Sequence, residues 1–136
     1  MSKTLFKENL KIDLAEIERL AERINAFADS QSIDTSTTYK INLVLDELLT
    51  NIINYAQASE LNVSAEIDDK TLCFTLQDNG TAFNPLTDSK APDTDASLED
   101  REIGGLGVHF AKTFMSSLDY QRAGTTNILT LTLDLD

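Results

Sequence analysis

The apolar residues of this chain change their period near residue 60, and that change limits the folds open to it. Before it they recur every three or four positions. Leu14, Ile17, Leu20 or Ala21, Ile24 and Phe27 form one stripe, and Ile41, Leu45, Leu48, Ile52 and Tyr55 form a second. This spacing predicts two amphipathic helices, one starting at Asp13 and one running from Asp34 or Ser36 to Tyr55. Asp13 with Glu16 three residues on is a capping-box arrangement. After residue 60 the apolar positions alternate. Leu61, Val63, Ala65 and Ile67, then Leu72, Phe74 and Leu76, predict two strands around a turn at Asp68-Asp69-Lys70. Two more strands are expected at 118–122 and 127–135. In the last, Leu129, Leu131, Leu133 and Leu135 point one way and Thr130, Thr132 and Asp134 the other. A short strand over 3–10 and a third helix after the glycines at 104, 105 and 107 complete the list. The expected class is α+β, a two-layer α/β sandwich: a mixed, largely antiparallel sheet with about three helices on one face.

The 136 residues fit one domain, 1–136, and a 41% hydrophobic fraction suffices for a core. No apolar run reaches the length of a membrane span, and the first residues lack the apolar stretch of a signal peptide. A cytoplasmic protein without a membrane partner is expected. The net charge of −12 argues against a nucleic-acid partner, whose phosphates need Lys and Arg. It leaves room for a nucleotide, which a few local donors can hold. One cysteine, Cys73, and one histidine, His109, make a disulfide or a Cys/His metal site an unpromising reading.

Three segments carry polar residues that could do chemistry. Glu47, Asn51 and Asn54 stand at i, i+4 and i+7 of the second helix and share one face. Asn51 can offer a carbonyl oxygen to Mg²⁺, and Glu47 can orient or deprotonate a hydroxyl. Taken alone, a solvated face is the simpler account. Asp78-Asn79-Gly80-Thr81-Ala82-Phe83-Asn84-Pro85 follows a strand. Asp78 can accept from an exocyclic amine, and Gly80 lets a base approach the backbone. Taken alone, this is a turn sequence. Gly104-Gly105-Leu106-Gly107 opens a helix, whose free N–H groups and dipole suit phosphates, but no Walker lysine follows. Between the last two lies a polar stretch, residues 86–103, which reads as a long loop that is mobile without nucleotide. His109, Cys73, Tyr55 and Phe83 are most simply packing residues, and Asp46 a solvated or capping carboxylate.

In their order and spacing the three segments resemble the ATPase superfamily of gyrase, heat-shock-protein-90, histidine kinases and mismatch-repair ATPases. The likeness is greatest to the bacterial anti-sigma-factor serine/threonine kinases. Asp46-Glu47-Leu48-Leu49-Thr50-Asn51 is similar to their first box, the Asp78 segment to the second and Gly104-Gly105-Leu106-Gly107 to the third. The tail with Tyr120, Arg122 and Asn127-Ile128-Leu129-Thr130-Leu131 is similar to the ends of such domains. The resemblance covers nearly the whole chain. It implies ATP and Mg²⁺ as cofactors, with Asn51 on the metal and Glu47 as the catalytic carboxylate. Asp78 would read adenine and Gly80 would line the base pocket, with Phe83 in the same box. Gly105 and Gly107 would lie under the phosphates, with Gly104 and Leu106 beside them, and residues 86–103 would be the lid. Thr125 or Thr126 would complete the adenine site. Asn54 stands where several relatives have histidine, on the phosphate side. The lid is acidic, which leaves Arg101 as its phosphate contact.

The resemblance thus implies a protein kinase that phosphorylates a small antagonist protein of the anti-anti-sigma type and regulates a sigma factor by partner switching. It also hints at a homodimer. A second reading is a binding module whose affinity for a partner depends on bound ATP or ADP, without useful phosphate transfer. A third, the catalytic domain of a histidine kinase, lacks a dimerisation helix and acceptor histidine in this chain.

Overall fold

The computed structural model describes residues 2–86, 108–109 and 111–135. Its elements run β1 (Ser2–Leu10), α1 (Ala15–Ser30), α2 (Thr35–Tyr55), β2 (Leu61–Asp68), β3 (Thr71–Asp78), β4 (Ser117–Ala123) and β5 (Thr126–Asp134). Residues 108–109 and 111–114 are also helical. The architecture is α+β as expected. The sheet has the order β1-β2-β3-β5-β4, and every neighbouring pair is antiparallel.

Two hairpins build most of the sheet. Asp69 adopts a φ of +57° in the two-residue turn between β2 and β3, and Gly124 a φ of +61° in the turn between β4 and β5. Positive φ matches the twist of paired strands. β1 is the exception to local pairing. Both helices intervene before it meets β2, with a register shift between Thr4 and Phe6. Glu8 on β1 receives Arg19 and Arg23 from α1, at 2.8 and 2.9 Å. Arg19 also holds the half-buried Glu16 carboxyl down at a pKa of about 2.

The alternation of the strands sorts the two sheet faces. Leu61, Val63 and Ala65 of β2, Leu72, Phe74 and Leu76 of β3, and Leu129, Leu131 and Leu133 of β5 are all buried. They meet Leu20, Ile24 and Phe27 of α1 and Ile41, Val44, Leu45, Leu48 and Ile52 of α2 in one core. Phe27 links β1 to β3, its ring 5.4 Å from Phe6 and 6.1 Å from Phe74. Each such Leu, Ile, Val or Phe side chain contributes about 1.5–3 kcal/mol by leaving water.

The stripe residues at the helix ends depart from expectation. Leu14 and Tyr55 are 49% and 41% exposed, because the stripes outrun the sheet they cover. The capping box is also displaced. Asp13 accepts from the Ala15 N–H at 2.9 Å, but Glu16 reaches past it to the Lys11 N–H at 3.0 Å. Of the two possible starts of the second helix, Asp34 is the cap, accepting from the Thr37 N–H at 2.7 Å.

Candidate functional site

Capping and the buried stripe of α2 fix its rotation about its own axis, and that rotation decides where its polar residues go. Glu47, Asn51 and Asn54 do share a side of the helix but not an environment. Asn54 is exposed and Glu47 half-buried, while Asn51 is only 6% exposed. The Asn51 Nδ2 atom is buried and has no hydrogen-bond partner among the described residues. A buried amide donor left without a partner costs about 1–3 kcal/mol. Burial pushes the Glu47 carboxyl above its ordinary pKa, and the charge of Asp46 adds to this. The Asn51 amide works the other way, close enough to favour the charged carboxylate yet without bonding geometry at Nδ2.

The end of β3 is organised differently. Its inward phase continues past Leu76 to Asp78, which is 3% exposed. The Asp78 Oδ1 atom accepts from the Gly80 N–H at 2.8 Å and from the Asn127 side-chain Nδ2 at 2.9 Å; Oδ2 takes part in neither bond. Asn79 turns back to the start of β2, where its Oδ1 accepts from the N–H groups of Ser59 and Glu60. Gly80 meets the end of α2. A Cβ there would lie 2.1 Å from the Ala56 carbonyl oxygen. The same carbonyl accepts from the Thr81 N–H at 2.7 Å and from its hydroxyl at 3.1 Å. The glycine is therefore explained by helix packing, whereas the sequence suggested room for a base. Ala56 lies five residues beyond Asn51, about 7.5 Å along the axis, so this interlock ties the Asp78 segment to the helix bearing Asn51. Phe83 is buried, 6.2 Å from the half-exposed ring of Tyr55.

Three polar residues of the site were visible in the sequence only as part of a similar tail. Asn127 opens β5 directly opposite Asp78 and is 2% exposed. Its Nδ2 also donates to the Thr81 carbonyl at 2.7 Å, and its Oδ1 accepts from the Phe83 N–H, the Tyr120 hydroxyl and Arg122 Nη1. Arg122 Nη1 also donates to the Gly80 carbonyl at 2.7 Å. The signal was the alternation itself. Asn127 is in phase with Leu129, Leu131 and Leu133, so a two-residue period carried one step further puts it inside. Thr125 and Thr126 stand just before it, Thr125 exposed in the turn and Thr126 half-buried opposite Ala123.

Arg101, Gly104, Gly105, Leu106 and Gly107, with nearly all of the expected lid, lie outside the described residues. Leu86, its first residue, packs on the core. His109 is exposed, and Cys73 is half-buried with its thiol pKa pushed up by burial, which suits a structural thiol. Among the described residues no three His, Cys, Asp or Glu side chains gather as a metal cage. Mg²⁺ needs none, since it takes one or two protein oxygens and keeps waters. The orphaned Asn51 amide fits that demand, because a half-turn of its plane presents Oδ1 where Nδ2 now sits. Among the described residues no helix is long and apolar enough to cross a membrane.

With this geometry in place, comparison with known proteins gives the class. Residues 10–133 match the histidine kinase-like ATPase domain, and the chain belongs to that ATP-binding family. It is 32% identical over 98 residues, 69% of this chain and 68% of the relative, to the serine/threonine-protein kinase BtrW of Bordetella bronchiseptica. In fold it is similar to the histidine kinase AdeS of Acinetobacter baumannii, with a TM-score of 0.56 at 20% identity, covering 96% of this chain and 68% of that one.

Proposed function

We propose that this chain, as one domain, is a Mg²⁺-dependent serine/threonine protein kinase of the anti-sigma-factor type. It phosphorylates a small antagonist protein and so controls a sigma factor by partner switching. The observation that carries the reading is the pair on α2, a half-buried carboxylate, Glu47, one turn before a buried amide, Asn51, whose donor has no partner among the described residues. The likeness to a serine/threonine kinase supports the choice of acceptor.

Each residue then has a task. Asp78 accepts a hydrogen bond from the adenine amine. Asn51 holds Mg²⁺, which neutralises phosphate charge when bound. Glu47 orients the incoming serine or threonine hydroxyl and takes its proton. Its raised pKa makes it a better proton acceptor than a solvated glutamate, provided it is ionised at working pH. Thr126 is the better placed of the two threonines for the adenine site, being half-buried beside Asn127.

The test is transfer of labelled phosphate from ATP to candidate antagonist proteins encoded near this chain. Transfer to a serine or threonine is expected. Nucleotide binding with no transfer to any candidate would favour the nucleotide-dependent binding module instead.

A further inference from the structure

The bonding around Asn127 does more than close a sheet. At an inward position between two strands an apolar residue would fill the space without desolvating an amide, as Leu129 and Leu131 do. Asn127 instead makes five hydrogen bonds, to Asp78, Thr81, Phe83, Tyr120 and Arg122. An amide has two donor hydrogens and two acceptor lone pairs, so this one is saturated. Its orientation is fixed as well. A flip would set its oxygen against the Asp78 carboxylate and the Thr81 carbonyl, and its NH₂ against three donors. The network joins the end of β3, the 81–83 segment and β4, and every bond ends on Asp78 or on the segment that follows it, or braces the amide from behind.

We propose that Asn127 is the positioning residue for base recognition, holding Asp78 so that the site takes a purine with an exocyclic amine at C6 and rejects one with an oxygen there. This rests on the ATP reading above. Two donors on Oδ1, one from the Gly80 backbone and one from Asn127, fix the carboxylate plane and leave Oδ2 outside the network. An ionised carboxylate only accepts hydrogen bonds, so the fixed Oδ2 welcomes an amine and repels a carbonyl oxygen. Without Asn127, Oδ1 keeps a single tether and the side chain can rotate. Asn127 therefore acts through Asp78 on which base binds, more than on whether a diphosphate binds.

The experiment is calorimetric titration of the full chain with ADP and with inosine diphosphate, which has an oxygen in place of the C6 amine and a proton on N1. The wild type should prefer ADP. Asn127→Ala should cut the ADP-to-IDP affinity ratio roughly tenfold or more, the scale of one hydrogen bond to a charged group, and leave the gain from Mg²⁺ in place. A merely structural role would weaken both nucleotides equally and leave the ratio unchanged, which would overturn the proposal.

Asn127→Asp serves if the alanine variant does not fold. It keeps the oxygen facing Phe83, Tyr120 and Arg122 and exchanges the donor group that faces Asp78 and the Thr81 carbonyl. The groups that face it are Asp78 from β3 and Tyr120 and Arg122 from β4. The ratio should collapse near pH 8 and return near pH 5.5, where two adjoining carboxyls share one proton, a pairing that raises one pKa by roughly several units. A ratio like the wild type's at both pH values would also overturn it. A wild type that binds neither nucleotide at millimolar concentration would refute the ATP reading first. A wild type that discriminates while both variants still discriminate would refute the role of Asn127 alone.

Discussion

The end of the sheet and the polar side of α2 meet at Gly80 and Ala56, yet they are built on opposite principles. Around Asp78 the polar groups are paired with one another: Asn127 is saturated, Asn79 bridges to Ser59 and Glu60, and Arg122 braces the Gly80 carbonyl. On α2 the buried Asn51 Nδ2 has no partner among the described residues, and Glu47 is partly desolvated against its preference for charge. In the first region the bonds converge on Asp78 Oδ1 and leave Oδ2 outside the network. The second holds an unpartnered buried donor beside a partly desolvated carboxyl, where the proposed reading puts the metal. A base-reading pocket gains selectivity from rigidity, while a phosphate and metal site gains from groups left unsatisfied until charge arrives.

The contrast is broken most forcefully at Glu47. Glu47→Gln keeps size and removes the base, so transfer to the antagonist should fall about 10²–10⁴-fold with nucleotide affinity retained. Paired kinase and binding assays check this. Equal transfer by both proteins would leave the kinase standing and move the base elsewhere. At Asn51 the prediction runs in two directions. Asn51→Leu replaces an orphaned amide with an apolar group of similar volume. It should raise stability without ligand by about 1–3 kcal/mol in urea titration and abolish the gain in affinity from Mg²⁺. A loss of stability would mean that the amide is satisfied in solution.

Gly80→Ala probes the interlock between the two regions. Its Cβ would fall 2.1 Å from the Ala56 oxygen, which is backbone and cannot swing aside. A cost of about 1–3 kcal/mol is expected, the usual scale for overpacking, with weaker adenine binding because Asp78 loses the geometry of the Gly80 N–H. The smallest effect concerns pH. Glu47 has its pKa raised in the folded state, so the folded protein binds more protons than the unfolded chain as pH rises from the ordinary carboxylate range through the raised value. Stability without metal is lost across that window. Glu47→Gln should flatten this slope, so that the variant melts above the wild type at neutral pH and the difference closes in acid. Parallel melting curves at all pH values would place Glu47 in water.

Much of the fold was legible because period and burial agree. The stripe of α2 and the alternation of β3 and β5 each name a core face, and the core is built from those residues. The site was legible where one helix carried it: Glu47 and Asn51 share a side because the helix repeats every 3.6 residues. What local reading could not give was the partner of Asp78, since Asn127 is 49 residues away and meets it only through strand pairing. Nor could it assign Gly80 to Ala56, because a glycine kept for a backbone contact and one kept for a ligand look alike in sequence. The displaced capping box shows a third limit. Asp13 and Glu16 are both used as expected acceptors, but the chain before the helix turns so that the Lys11 N–H, rather than that of Asp13, meets Glu16.

The proposed division of labour, Asp78 reading the base and Asn51 holding the metal, is tested most directly by titrating ADP, with and without Mg²⁺, into the wild type, Asp78→Ala and Asn51→Ala. The account predicts that Asp78→Ala loses roughly 10–100-fold in affinity under both conditions, the scale of a charged hydrogen bond and its rigid setting. It predicts that Asn51→Ala binds like the wild type without the metal and loses only the increment that Mg²⁺ adds. If the two variants lose affinity in the same proportion with and without Mg²⁺, or if the wild type gives no heat with millimolar ADP, the account is contradicted.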